Sequence, residues 1–170
     1  MGELESDFFI RTIDEMTDEE IIAYDNEFKD PGESCSVLMS LRCTERNHWR
    51  DGDILERHNA IIGFYCNDEL CDMARITRTP SHVEYGQIEY SIRPSKRSLG
   101  FAKIFLQLIS EFCKELCIYH PTACVDVTNI RSLKAFEKAD FVPTGIEYDW
   151  SGDRKAIELV KKCHETERRT

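Results

Sequence analysis

Ser91-Ile92-Arg93-Pro94-Ser95-Lys96-Arg97-Ser98-Leu99-Gly100-Phe101-Ala102-Lys103 is the stretch on which the fold turns. Before it, Tyr85 to Arg93 reads as a strand. After it, Phe101, Ile104, Phe105, Leu108, Ile109, Phe112 and Leu116 recur at helical spacing, and Pro121 follows the end. The segment carries the bases Arg93, Lys96, Arg97 and Lys103 and no acid, in a chain of net charge -10. The first N–H groups of a helix have no partner inside it, and the dipole there is positive. Gly100 lets a ligand approach the backbone closely, and Ala102 adds little bulk. Such a turn suits a phosphate or pyrophosphate. It also reads as a plain basic strand–helix turn with a glycine for geometry. Neither G-x-x-x-x-G-K-[ST] nor G-x-G-x-x-G occurs.

Outward from this turn, the strand signals before it and the alternating elements after it predict a mixed α/β sheet covered by helices on both faces. Phe8 to Ile13 reads as a strand. Thr17-Asp-Glu-Glu20 is a capping box opening a helix to about Phe28, and Pro31-Gly32 breaks it. Val37, Leu38 and Leu41 suggest a second helix. Ile54 to Arg57 and Ala60 to Cys66 read as a hairpin turning at His58-Asn59. Residues 67–79 are ambiguous, with a strand from Met73 to Thr77. Ala123 to Val127 reads as a strand of the kind buried in a sheet. Asn129 caps a helix bearing Ile130, Leu133 and Phe136. Val142 to Asp149 and Ala156 to Val160 form a last hairpin.

The chain has 170 residues, which suits one domain over 1–170 with a core that needs no disulfide or metal staple. Charged residues at 32% and hydrophobic residues at 41% exclude collagen-like and disordered classes. No apolar run reaches a membrane span, and the acidic start carries no secretory signal, so the cytoplasm and no membrane partner are expected. The Gly2/Ser6 myristoylation pattern is weak without a basic patch. Residues 1–33 hold twelve acids and only Arg11 and Lys29 as bases, which accounts for the whole negative balance. An acidic face attracts cations and repels nucleic acid. It also reads as a solvated helix face. The eight cysteines show neither C-x-x-C nor zinc spacing, so free thiols and no metal are expected.

Ile92-x-Pro94-x-x-Arg97-x-x-Gly100-x-Ala102 resembles the acetyl-CoA loop of the GNAT superfamily of N-acetyltransferases. Asn129-Ile-Arg-Ser132-Leu-Lys-Ala-Phe136-Glu-Lys138-Ala-Asp-Phe141 resembles that family's Asn-x-x-Ser-x-x-x-Tyr-Glu-Lys-x-Gly-Phe helix. The resemblance implies a GNAT-like fold whose central mixed sheet splays between two parallel strands, here ending near Arg93 and Val127. It implies acetyl-CoA as co-substrate. Groups near Ile92 and Arg93 would pair with the pantetheine arm, and the N–H near Ile92 would polarise the thioester carbonyl. Arg97 belongs to the loop. The N–H groups of Ser98, Leu99, Gly100, Phe101 and Ala102 would hold the pyrophosphate, and Asn129 would contact the cofactor. An acceptor amine would then attack directly, without a covalent enzyme intermediate. Three positions depart from the family pattern. Ser98 and Asp140 replace frequent glycines, and Phe136 stands where many members have the tyrosine that protonates the departing thiolate.

An amine with a lysine-like pKa of about 10.4 must lose a proton before it attacks. Glu84 and Glu89 are the candidate bases on the strand entering the loop. Five positions apart, they face opposite sides. Gln87, Glu89 and Ser91 form a polar stripe, which favours Glu89. A carboxylate paired with Arg75 or Arg78 is the structural alternative. The first two helices wall the acceptor site in this family, and here they carry the acids. A polyamine, an aminoglycoside-like amine, an amino-acid amine or a protein lysine would fit, and a homodimer stays open. The competing functions are a non-catalytic acyl-CoA-binding module and a partner-binding α/β domain.

Overall fold

The computed structural model describes residues 7–29, 59–79, 82–149 and 154–162. Seven strands hydrogen-bond in the order β1-β2-β3-β4-β5-β7-β6. They are β1 (Phe8–Thr12), β2 (Asn59–Cys66), β3 (Glu69–Thr79), β4 (His82–Ile92), β5 (His120–Asp126), β6 (Phe141–Asp149) and β7 (Lys155–Lys161). Among the described residues three α-helices accompany them: α1 (Asp18–Asp25), α2 (Phe101–Glu115) and α3 (Ile130–Lys138). This is the mixed α/β sheet expected. By their contacts the residues form two compact units, Met1–Arg75 with Tyr90–Phe101, and Ile76–Glu89 with Ala102–Thr170.

In the first unit, the Thr17 side chain accepts from the Glu20 N–H while Glu20 reaches back to the Thr17 N–H at 2.7 Å. This reciprocal cap starts α1 as the sequence predicts. The helix ends at Asp25, short of Phe28. The Glu27 and Phe28 N–H groups make three-residue bonds to Tyr24 and Asp25, which close the chain into a turn. β1 pairs antiparallel with β2, from Phe8↔Cys66 to Thr12↔Ile62. The β2–β3 hairpin turns at Asn67-Asp68, both at positive φ (51° and 63°), as a two-residue primed turn requires. β3 therefore begins at Glu69, four residues before the expected Met73. The expected strand at 54–57, its turn at His58 and the helix around Leu38 lie outside the described residues. The core of this unit holds Ile13, Met16, Ile21, Ile61, Ile62 and Phe64, each at most 3% exposed. Burying side chains of this size is worth roughly 1.5–3 kcal/mol each.

In the second unit, α2 buries Phe105, Leu106, Ile109, Phe112 and Cys113. Of the expected stripe, Phe105, Ile109, Phe112 and Leu116 are buried and Phe101, Ile104 and Leu108 only half-buried, while Leu106 and Cys113 join the buried face from outside it. β4 runs parallel to β5 through Tyr85↔His120, Gly86↔Pro121 and Gln87↔Thr122. β5 pairs antiparallel with β7 over Thr122↔Val160 to Asp126↔Ala156. β5 alternates, with Pro121, Ala123 and Val125 buried and His120, Thr122, Cys124 and Asp126 half-buried. The fully buried strand expected there is thus one-sided, and Val127 falls outside it. Asn129 caps α3 by accepting the Ser132 N–H at 3.1 Å.

Candidate active site

The turn after β4 is built in three steps. The Arg93 N–H donates to the Cys71 carbonyl at 3.0 Å, which ends the strand. Pro94–Lys96 then forms a single 3₁₀ turn with proline near its start, where no N–H is needed. Ser98 and Gly100 follow at φ 69° and 82°, and both are exposed. A Cβ built on Gly100 meets no heavy atom within 4 Å, so the backbone there lies open to a ligand. Serine at positive φ costs on the order of 1–2 kcal/mol. Leu99 is 59% exposed. Phe101 anchors the start of α2 against Phe8 and Phe64, edge-on at 5.7 and 5.9 Å.

The basic character of this segment is largely spent within its own unit, on acids that lie outside the acid-free stretch. Arg93 pairs through Nε with Glu27 and through Nη1 with Glu69 and the Leu70 carbonyl, at 3.3 and 3.1 Å. Lys96 pairs with Glu69. That hydrogen bond raises the Lys96 pKa above its ordinary value. Arg97 donates through Nε to the Ile92 carbonyl at 3.3 Å and lies over the Phe28 ring. The acids come from the end of α1 and the start of β3, far away in the sequence. The parts of the turn that remain open are backbone groups around Ser98, Leu99 and Gly100.

Glu84 and Glu89 are both exposed on β4, while Gly86 and Ile88 between them are buried. The Glu84 carbonyl takes the Tyr119 N–H at 2.9 Å. Glu89 acts on the Cys124 thiol, whose pKa is raised first by burial and then by the charges of Glu158 and Glu89. Cys124 stands opposite Glu158 in the β5–β7 register. Glu158 accepts from Thr144 Oγ1 at 2.9 Å and from the Tyr148 hydroxyl at 3.2 Å. Sequence reasoning missed this second carboxylate. Its only signal was one acid amid the apolar Ala156–Val160 run. Of the two arginines considered as partners for Glu89, Arg78 donates to the Leu116 carbonyl.

Asn129 spends Oδ1 on the α3 cap, which leaves its amide N–H₂ as the group to offer a ligand. Phe136 is 2% exposed and packs edge-on against Phe141 at 4.9 Å, as a core residue. Asp140 adopts φ 62°, the conformation expected of the glycine it replaces. Hydrogen bonds from the Thr128 side chain and backbone, then from Arg154, hold Asp126 down to about 2.

One acid was not singled out in the sequence. Asp72 in β3 is fully buried, and neither carboxylate oxygen is held in a hydrogen bond of regular geometry. Burial lifts its pKa well above the usual carboxylate range, against the weaker pull of the Met73 and Ser91 N–H groups. In the same unit the buried Tyr24 hydroxyl donates to the Ser91 carbonyl and shares a hydrogen bond with Ser91 Oγ at 2.6 Å. Among the described residues, Cys66, Cys71, Cys113, Cys117 and Cys124 are free thiols. Burial pushes Cys113 up to about 12. No group of three or more His, Cys, Asp or Glu among the described residues is placed to hold a metal ion. No helix among them is long and apolar enough to cross a membrane.

The acetyltransferase (GNAT) family model matches residues 13–141, and the chain belongs to that family. The spermidine N-acetyltransferase of Vibrio cholerae, solved with CoA and spermine, is similar in structure at a TM-score of 0.67 and 15% identity. That match covers 90% of this chain and 94% of the other. The Campylobacter jejuni N-acetyltransferase PseH matches at 0.61 and 11% identity, covering 91% and 99%. A GNAT-family acetyltransferase of Streptococcus pneumoniae matches at 0.65 and 14%, also covering 91% and 99%. At such identities the likeness is one of fold. No curated protein matches the chain.

Proposed function

We propose that this acyltransferase-family protein moves an acetyl group from acetyl-CoA to a primary amine of a cationic acceptor, by direct attack in a ternary complex. The observation that carries the reading is the open turn at Ser98–Gly100, whose exposed backbone leads straight into α2. A backbone cradle at a helix start suits a pyrophosphate whether or not side-chain cations help. Ser98, Leu99, Gly100, Phe101 and Ala102 would hold it with their N–H groups. Arg97 shapes the turn through the Ile92 carbonyl, and Asn129 would offer its N–H₂. When bound, acetyl-CoA supplies the acetyl group as an activated thioester. The Ile92 N–H would stabilise the developing oxyanion. The Arg93 N–H serves the β3–β4 ladder, so Arg93 contributes chiefly by shaping the turn.

Glu89 would take the amine proton, directly or through water, with Glu84 as the other candidate on the strand. Glu89 and Glu158 flank Cys124, and together they give that face the negative charge a cationic amine prefers. The acceptor class named for the Vibrio cholerae structure, a polyamine, fits such charge. Phe136, buried without a proton to give, favours the second reading, an acyl-CoA-binding module. One experiment separates the two readings. Thiol release from acetyl-CoA is followed with a panel of polyamines, amino acids, aminoglycosides and lysine peptides. Amine-dependent release supports the enzyme. CoA binding without release against the whole panel supports the module.

A further inference from the structure

Glu27 lies one residue past the C-cap of α1, at the negative end of the helix. A carboxylate there is repelled by the helix dipole, so α1 gains nothing from it. The turn after β4 does gain. Glu27 Oε1 accepts from Arg93 Nε, and Oε2 accepts from the Ser95 N–H at 3.0 Å. One carboxylate therefore grips the residue before the 3₁₀ turn and a residue inside it. The pair is largely shielded, with side-chain exposures of 27% for Glu27 and 15% for Arg93. Burial opposes ionisation of Glu27, yet the Ser95 and Arg93 hydrogen bonds hold its pKa below the ordinary value. Next to Glu27, Phe28 lies beneath the Arg97 guanidinium, 5.8 Å from its ring centre.

We propose that Glu27 is a positioning residue for the CoA-binding turn, presetting residues 93–97 so that the following N–H groups stay aimed at a pyrophosphate. The inference rests on the cofactor reading above and adds a residue outside the family loop. It also runs against simple electrostatics. An acid beside an anion site should weaken anion binding, so neutralising it should tighten binding. If Glu27 holds the turn in shape, neutralising it loosens the turn and weakens binding.

The test is titration calorimetry of CoA into the full-length wild type, Glu27→Gln and Glu27→Ala, with thermal melts of each. Glu27→Gln keeps an acceptor for Ser95 and loses the ion pair, so CoA affinity should fall about 3-fold. Glu27→Ala loses both, and affinity should fall at least about 10-fold. In steady state the loss should appear in the KM for acetyl-CoA, with kcat within about 3-fold of wild type, which a general loss of folding would not produce. Unchanged or tighter CoA binding by folded Glu27→Gln and Glu27→Ala overturns the positioning role and leaves the cofactor reading standing. Failure of the wild type to bind CoA overturns both.

Discussion

Replacing Asp72 by asparagine should stabilise the protein progressively as pH rises. The sign follows from linkage. Burial raises the folded-state pKa of Asp72 well above its unfolded value of about 3.9. Between the two values the folded chain holds a proton that the unfolded chain has released. Each pH unit in that window then removes about 1.4 kcal/mol of folding stability. Above about pH 5 the unfolded aspartate is already ionised, so the wild type loses stability there for as long as the folded chain keeps its proton. The asparagine side chain does not titrate, so this component vanishes in Asp72→Asn. Its unpaired amide adds a constant offset, and the informative quantity is the slope. Urea denaturation of both proteins at pH 5.0, 5.5, 6.0 and 6.5 gives it directly. The stability difference, variant minus wild type, should grow with pH across the series, with a limiting slope of about 1.4 kcal/mol per unit. A difference flat with pH would show that Asp72 is ionised in the folded chain and would refute the reasoning.

Gly100→Glu places bulk and negative charge over the open turn, and CoA at about 100 times its wild-type Kd should lose the roughly 2.7 kcal/mol of stabilisation it otherwise confers. A thermal melt with and without CoA reads this, and a variant that still shifts like the wild type would move the site elsewhere. Glu89→Gln should lower turnover about 10²–10⁴-fold with little change in acetyl-CoA KM, and the deficit should shrink as pH rises and free amine increases. The parallel Glu84→Gln should keep most of its turnover; the opposite pattern would reverse the assignment. Thiol titration of freshly unfolded protein without reductant should count all eight cysteines, and a reproducible count of six or fewer under anaerobic handling would contradict the free-thiol expectation.

Features set by neighbours in sequence were legible from the chain alone. The Thr17–Glu20 box and the Asn129 cap depend on side chains within about one turn of one another, and each stands where the sequence puts it; the α2 stripe is right at Phe105, Ile109 and Phe112 but its buried face is turned toward Leu106 and Cys113. The loop and the α3 signature carried the family for the same reason. Less was legible wherever the decisive partner lies far along the chain. Arg93 and Lys96 read as cations for a phosphate, yet Glu27 and Glu69 claim them across 66 and 27 positions. Glu158 became visible only through its register with Cys124. Asp72 sits in a run, Leu70 to Ala74, whose burial on every residue departs from the alternation that would place an acid in water. The Asn67-Asp68 turn was readable in principle. Its two left-handed residues are Asn and Asp, which favour such turns, but the flanking Cys66 and Glu69 give no clear strand period.

The three-pair parallel joint between β4 and β5 bears on how the molecule assembles. Parallel strands cannot meet through a tight hairpin, and here Tyr85 waits for His120, 35 positions on. Bringing such distant segments together costs chain entropy before any contact offsets it. α2 shortens that path by coiling fifteen of the intervening residues. Gly86 leaves room beside the joint for the Ile118 side chain. A Cβ on it would come within 2.8 Å of Ile118 Cδ1, so the Ile118 side chain would have to shift. The joint should therefore form late, after α2 is in place, and β4 and β5 should be among the last strands to become protected when the chain refolds.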